Sequence, residues 1–283
     1  MMLSKQAPSP EIRTALGFST AQLARALNRG FEGYVVPLRV TPAVFDERFR
    51  QVGLARDRSL VAVQRGVPVG VQLMAARGWT SYVAAMGVAP ALRGSGLARR
   101  MMERAIADSR ARGERRMVLE VIEQNPRAIR FYRKLGFEAT RRLFGYRRGP
   151  ARGARAELTP VDLVEFARVA ARYGDPDPGW MLAPDTLAGL GKAHRAHRLD
   201  RCAWGLTAEA HGTAYLRGLV VPPRLRRRGH GRRLLEALFA LHAGLPWVVS
   251  PIVPEGLGAE FLRASGFRRE QLRQLEMELD PRR

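Results

Sequence analysis

The sequence predicts a mixed α/β fold, helices against a partly antiparallel sheet, present in two tandem copies. Three observations carry this. Helical and strand periods alternate in each half of the chain. VAPALRGSGLA at 88–98 matches VPPRLRRRGHG at 221–231 at an offset of 133, and FYRKLGF at 131–137 matches FLRASGF at 261–267 at an offset of 130. The halves are separated by RRGPARGARA at 147–156, which has no apolar periodicity. The expected organisation is a first domain at 1–148, a linker at 149–156 and a second domain at 157–283.

In the first half, apolar residues at helical spacing place helices at 20–29 and 42–51. Three short runs at 59–64, 68–75 and 81–88 read as an antiparallel meander, punctuated by Arg65-Gly66 and Arg77-Gly78. A helix at 95–112 closes on Gly113, and an apolar strand follows at 117–122. A helix at 126–135 has Asn125 as its N-cap and Pro126 at its start, and it ends at Gly136 before a last strand at 137–146. The second half repeats the plan: helix 160–172, strands 202–207 and 212–221, helix 231–242, strand 247–252 and a short helix at 260–265.

Composition narrows the class of protein. With 283 residues, 46% hydrophobic and 26% charged, each half can bury a core, and wholesale disorder is excluded. The single cysteine, Cys202, can form no intramolecular disulfide, which fits a reducing compartment. The first residues carry no apolar stretch after Lys5, and no run reaches the roughly 20 residues that span a bilayer. A cytoplasmic protein with no membrane partner is the expectation. The net charge of +22 raises nucleic acid as a partner, but 45 of the 48 cations are arginine, a skew that GC-rich coding also produces. Acidic residues interrupt the arginines almost everywhere except 224–233, so most of the excess reads as a solvated face and nucleic acid is not expected.

The glycine-rich loop at 93–98 follows a strand and opens a long helix. Glycines let the backbone approach an anion while the helix N-terminus adds positive potential, so a pyrophosphate fits; by spacing alone, a tight turn fits equally well. GxxxxGK[ST] is absent, and the third glycine of the dinucleotide fingerprint is missing. The pattern RxxGxA after VAP resembles the acetyl-CoA signature [RQ]xxGx[GA] of the GCN5-related N-acetyltransferase (GNAT) family, and the resemblance covers nearly the whole chain, once per half.

That resemblance implies an acyl-CoA N-acyltransferase fold in each half, with acetyl-CoA as cosubstrate and no metal. The pyrophosphate would lie on Arg93, Gly94, Ser95, Gly96, Leu97 and Ala98. The pantetheine arm would lie on a splayed strand edge at Met86, Gly87 and Val88. In the second half Val221, Arg226, Arg227, Arg228, Gly229, His230 and Gly231 hold the equivalent places.

Moving an acetyl group from a thioester to an amine calls for a base, a carbonyl-polarising donor and an acid for the leaving thiolate. LEVIEQN at 119–125 with AIRFYRKLGF at 128–137 resembles the LEVxxxN…AxxxYxxxGF stretch of the family. By that resemblance Glu120 is the base, Asn125 a CoA- or backbone-positioning group and Tyr132 the acid. From the residues alone, Tyr132 reads first as an amphipathic-helix aromatic and only within the motif as the acid, and Glu123 stands beside Glu120 as an alternative base. In the second half Ser250, Glu255 and Leu262 replace Glu120, Asn125 and Tyr132.

The expected function is therefore N-acetylation of a primary amine, small molecule or peptide, by direct attack. The first domain is expected to be active and the second to be CoA-binding or structural. Two other readings stay open: similarity to mycothiol synthases, tandem enzymes in which the second domain is the active one, and a non-catalytic acetyl-CoA sensor or nucleic-acid-associated scaffold. His194 and His197, at i and i+3, read as a surface helix rather than a metal site, Cys202 as a core strand residue, and DPDPG at 175–179 as a surface turn.

Overall fold

The computed structural model describes residues 9–283, so the start of the chain, with Lys5, lies outside the described residues. The chain forms two compact units. The first runs through Val121 and adds Asn125–Ala139 and Met277–Arg283; the second is Ile122–Gln124 with Thr140–Glu276.

In the first unit β1 (Glu11–Thr14), α1 (Thr20–Gly30), α2 (Pro42–Gln51), β2 (Leu60–Gln64), β3 (Val67–Arg77), β4 (Thr80–Val88), α3 (Leu97–Ala111), β5 (Arg116–Ile122) and α4 (Pro126–Arg133) follow in order. Strands β1 to β4 form the antiparallel meander, and β5 joins β4 in parallel. A parallel neighbour needs a crossover, which α3 supplies. Ser19 and Gln22 form a capping box that starts α1, and Thr41 Oγ1 caps α2 ahead of Pro42. Leu97, Met101 and Ala105 of α3 pack on Leu60, Ala62 and Val88. Side chains alternate across a strand, so Gly87 faces the other way, toward α1.

The second unit continues with β6 (Glu138–Arg148), β7 (Thr159–Val161), α5 (Leu163–Tyr173), α6 (Pro184–Ala188), β8 (His194–Leu199), β9 (Ala203–Ala210), β10 (Thr213–Val220), α7 (His230–Leu241), β11 (Trp247–Pro254), α8 (Ala259–Ala264) and β12 (Arg268–Leu279), whose last three residues belong to the first unit. Strands β7, β8, β9 and β10 are antiparallel, β11 is parallel to β10, and β6 pairs antiparallel with β11. One core gathers Leu216, Leu234, Leu238, Phe239, Trp247 and Leu262 around α7; another gathers Phe166, Leu187, Leu206 and Val220 beneath α5 and α6.

Several expectations are corrected. The helix expected from residue 160 starts at Leu163: Pro160 sits in β7, and Asp162 caps α5 by accepting from the Glu165 N–H. His194 and His197 lie on a strand, where positions i and i+3 face opposite sides, so they cannot share a face as they would on a helix. Cys202 is half-buried in the turn before β9, its N–H bonded to Leu199 O, and is not a core strand residue. Within 149–156, Ala151 is buried in the α7 core, and a side chain at Gly153 would collide with the Glu236 carbonyl. Among the described residues no helix is long and apolar enough to cross a membrane.

Candidate active site

In the first unit the sheet opens beside the glycine loop. Parallel pairing of β4 with β5 runs from Thr80↔Arg116 to Val83↔Leu119 and stops, although both strands continue. At that point the β3–β4 register slips: Leu73 faces Ala85 and Met74 faces Val83, so Ala84 is an extra, bulged residue. A bulge bends its strand and increases twist, which carries Ala85–Val88 away from β5. Met86, Gly87 and Val88 therefore present the opened edge, and Glu120 is the first residue of β5 past the last pair.

The end of α1 rests on this edge. An added Cβ on Gly87 would lie 2.9 Å from the Gly30 carbonyl carbon, and one on Gly30 would lie 2.8 Å from that of Gly87. Arg93 ties the contact down: its Nε donates to Val88 O at 3.1 Å, and its Nη2 donates to Gly30 O at 3.1 Å and Glu32 O at 2.5 Å. The side chain of Arg93 thus satisfies carbonyls at a helix C-terminus, where a cation is favourable. Its contribution to the loop is through the backbone.

After a 3-10 turn at Pro90–Leu92, Gly94 (φ +86°) and Gly96 (φ +82°) both take the left-handed conformation that glycine adopts without strain. Ser95 Oγ donates to Leu92 O and accepts the Leu97 N–H at 3.4 Å, and Gly96, which has no side chain, is the N-cap of α3. Leu97 is buried and Ala98 packs beside it, so these two anchor the loop in the core. A glycine-started helix next to an opened strand edge fits the pyrophosphate and amide arm of CoA.

Tyr132 lies on α4, packed edge to face against Phe131 and Phe137. Burial, and then the neighbouring Tyr34, push its pKa well above the ordinary phenol value. Burial also raises Tyr34, partly offset by a hydrogen bond from Asn125. Asn125 Oδ1 accepts the Ala128 N–H as the cap of α4, so this residue holds α4 and Tyr34 in place. Sequence reasoning missed Tyr34; a tyrosine in an irregular segment after α1 carries no periodic signal. Glu123 belongs to the second unit, where Arg273 and Arg142 hold its carboxylate and its N–H donates to Arg273 O.

The second unit repeats the opening with different chemistry. Leu216 faces Thr207 and Gly218 faces Leu206, leaving Arg217 as the bulged residue, 133 positions after Ala84. Parallel pairing of β10 with β11 is limited to Ala214↔Trp247 and Tyr215↔Val248. Arg226 reproduces Arg93: Nε donates to Val221 O at 2.9 Å and Nη2 to Tyr173 O at 2.6 Å. Gly229 (φ +82°) is the uncapped N-cap of α7, and Arg227 (φ +63°) holds the left-handed position that Gly94 occupies in the first unit. Arg228 is exposed on the loop, and His230 and Gly231 open α7. A cavity of about 1040 Å³ lies here, reaching from Arg226, Arg227, Gly229 and Gly231 to Leu262, which stands where Tyr132 stands in the first unit. Ser250, in the place of Glu120, belongs to the residues 250–252 that bulge from the β11–β6 pairing. Glu255, in the place of Asn125, donates its N–H to Arg142 O.

A sheet parted between two parallel strands, with a glycine-started helix beside the gap, defines an acyl-CoA N-acyltransferase fold, here twice over. The chain belongs to the Acetyltransferase (GNAT) family, whose model matches residues 23–137 and again 153–245. Members of this family are acetyltransferases with acetyl-CoA as cosubstrate, and this chain is an acyltransferase enzyme of that kind. Among solved structures, a GCN5-related N-acetyltransferase from Sphaerobacter thermophilus superposes with a TM-score of 0.68 at 16% identity, covering 98% of each chain. A tandem GNAT protein from the clavulanic acid biosynthesis pathway gives 0.66 at 15% identity, covering 96% of this chain and 98% of the other. No curated protein matches the sequence.

Proposed function

We propose that the first unit acetylates a primary amine by direct attack on acetyl-CoA, while the second unit binds CoA without catalysing transfer. The reading rests on one contrast. Both units keep the strand bulge and the left-handed glycine that starts the helix, but only the first has a carboxylate just past the splay and a phenol on the following helix.

In this reading Glu120 takes the proton that the amine gives up as its nitrogen bonds to the thioester carbonyl carbon. Tyr132, kept neutral by burial, gives its proton to the sulfur as the C–S bond breaks. Backbone groups of Met86–Val88 align the thioester arm, and the start of α3 at Gly96–Ala98 holds the pyrophosphate. Arg93 and Asn125 position the loop and the helix that carry these groups. Glu120 is favoured as the base because it is the first residue of β5 past the last β4–β5 pair, while Glu123 belongs to the second unit and pairs with Arg142 and Arg273. The acceptor in this reading is a small molecule or peptide amine, and the single cysteine fits a reducing compartment such as the cytoplasm.

Thiol release against a panel of primary amines, with acetyl-CoA titrated calorimetrically, tests this. Wild type should bind two equivalents. Gly96→Glu should abolish turnover, and Gly229→Glu should retain it. The large cavity favours a second reading in which the second unit does the chemistry; turnover lost only in Gly229→Glu would establish that one. No binding by any form would remove both.

A further inference from the structure

We propose that the cavity of the second unit takes a CoA thioester carrying an apolar acyl chain longer than acetyl. The proposal rests on the reading of this unit as a CoA site and adds the class of thioester it selects.

The cavity draws its walls from two separate cores. Leu216, Val249, Val253 and Leu262 come from the core around α7, and Phe166, Leu187 and Val220 from the core beneath α5 and α6. It therefore passes through the sheet, at the gap left where β10 and β11 part beyond Tyr215↔Val248. On one side are the phosphate-loop residues Arg226, Arg227 and Gly229; on the other are Phe166, Ala170, Leu182, Pro184 and Leu187. The end that would receive the acyl group is hydrocarbon.

Two carboxylates, Asp175 and Glu260, stand among the mostly apolar lining. The Asp175 carboxylate accepts the Asp177 N–H, and Arg141, bonded to Asp177 and to the buried Glu276, pins the 175–179 loop in place. An alkyl chain loses nothing and gains from each buried methylene. Leu262 in place of a phenol extends the same apolar wall to the thioester position. At about 1040 Å³ the cavity lies at the upper end of ligand pockets, which run from about 300 to 1,000 Å³.

The test uses the full-length Gly96→Glu protein, whose first-unit loop is blocked by a strained carboxylate, so that the second unit alone titrates. CoA, acetyl-CoA, butanoyl-CoA and hexanoyl-CoA are titrated calorimetrically. Affinity should rise by about fourfold per added methylene until the chamber fills, so that hexanoyl-CoA binds at least about tenfold tighter than acetyl-CoA. Adding Gly229→Glu should abolish all binding. Ala170→Phe, which fills the chamber from α5, should flatten the series while leaving CoA affinity unchanged. Should that variant fail to fold, the series in Gly96→Glu decides alone. CoA binding with affinity independent of chain length overturns the proposal and leaves the CoA site standing; absence of CoA binding overturns both.

Discussion

The contact between Gly30 and Gly87 makes a quantitative test of how the first unit holds its opened strand edge. In Gly87→Ala the new Cβ would sit 2.9 to 3.0 Å from three backbone atoms of Gly30. Ordinary contacts at this position begin near 3.4 Å, so the end of α1 must retreat by roughly 0.5 Å, because backbone cannot rotate aside as a side chain does. Overpacking of this kind costs about 1–3 kcal/mol. The retreat also lengthens the Arg93 hydrogen bond to Gly30 O, at present 3.1 Å, and hydrogen bonds to a charged group contribute about 1.5–3 kcal/mol. A loss of about 2–4 kcal/mol is expected in urea unfolding, with weaker acetyl-CoA binding at the same unit. Gly17→Ala is the control, since nothing lies within 4 Å of a Cβ there. The double variant Gly30→Ala with Gly87→Ala should cost less than the two single losses together, because the first displacement makes room for the second. Wild-type stability in Gly87→Ala, or strict additivity in the double variant, would refute the reasoning.

Other expectations follow from single groups. Tyr132→Phe should lower kcat by about 10²- to 10⁴-fold with the fold intact, measured by thiol release. Because Tyr132 holds its proton more tightly folded than unfolded, stability should fall as pH rises above the ordinary value of 10.0; unfolding curves at pH 8 and 10.5 should show a smaller fall in Tyr132→Phe. Arg141→Met leaves Glu276, 1% exposed, without its cation and should cost about 3–5 kcal/mol in urea unfolding. Burial, followed by the His242 and Arg195 charges, lowers the pKa of His197, so the unfolded chain binds the extra proton. Stability should fall as pH drops below 6.5, and the fall should be smaller in His197→Gln.

Much of the site was legible because its geometry is local. The matched loops at 88–98 and 221–231 predict two glycine-started helices, and Gly96 and Gly229 have the same φ of +82°. Asn125 caps α4 where Pro126 places the helix start. The bulges at Ala84 and Arg217 were hidden, since a bulge is defined by the partner strand's register and leaves no mark on the residues themselves. Strand β12 was missed although Leu275, Met277 and Leu279 alternate with Glu276 and Glu278 in sequence; the run RREQLRQ before them is mostly polar and conceals the strand's first half. In β8, histidines and arginines at helical-looking spacing concealed a strand.

Backbone torsion, helix caps and hydrophobic period are set by residues within a few positions of one another, so the duplication, the mixed α/β class and the two glycine-started helices follow from sequence alone. Which edges pair, and where pairing stops, depends on hydrogen bonds between residues far apart along the chain. Only the tertiary structure could therefore decide that β6 lies beside β11, that Arg93 and Arg226 spend their side chains on helix-end carbonyls, and that a large, mostly apolar cavity lies in the unit that has Ser250 and Leu262 in place of Glu120 and Tyr132.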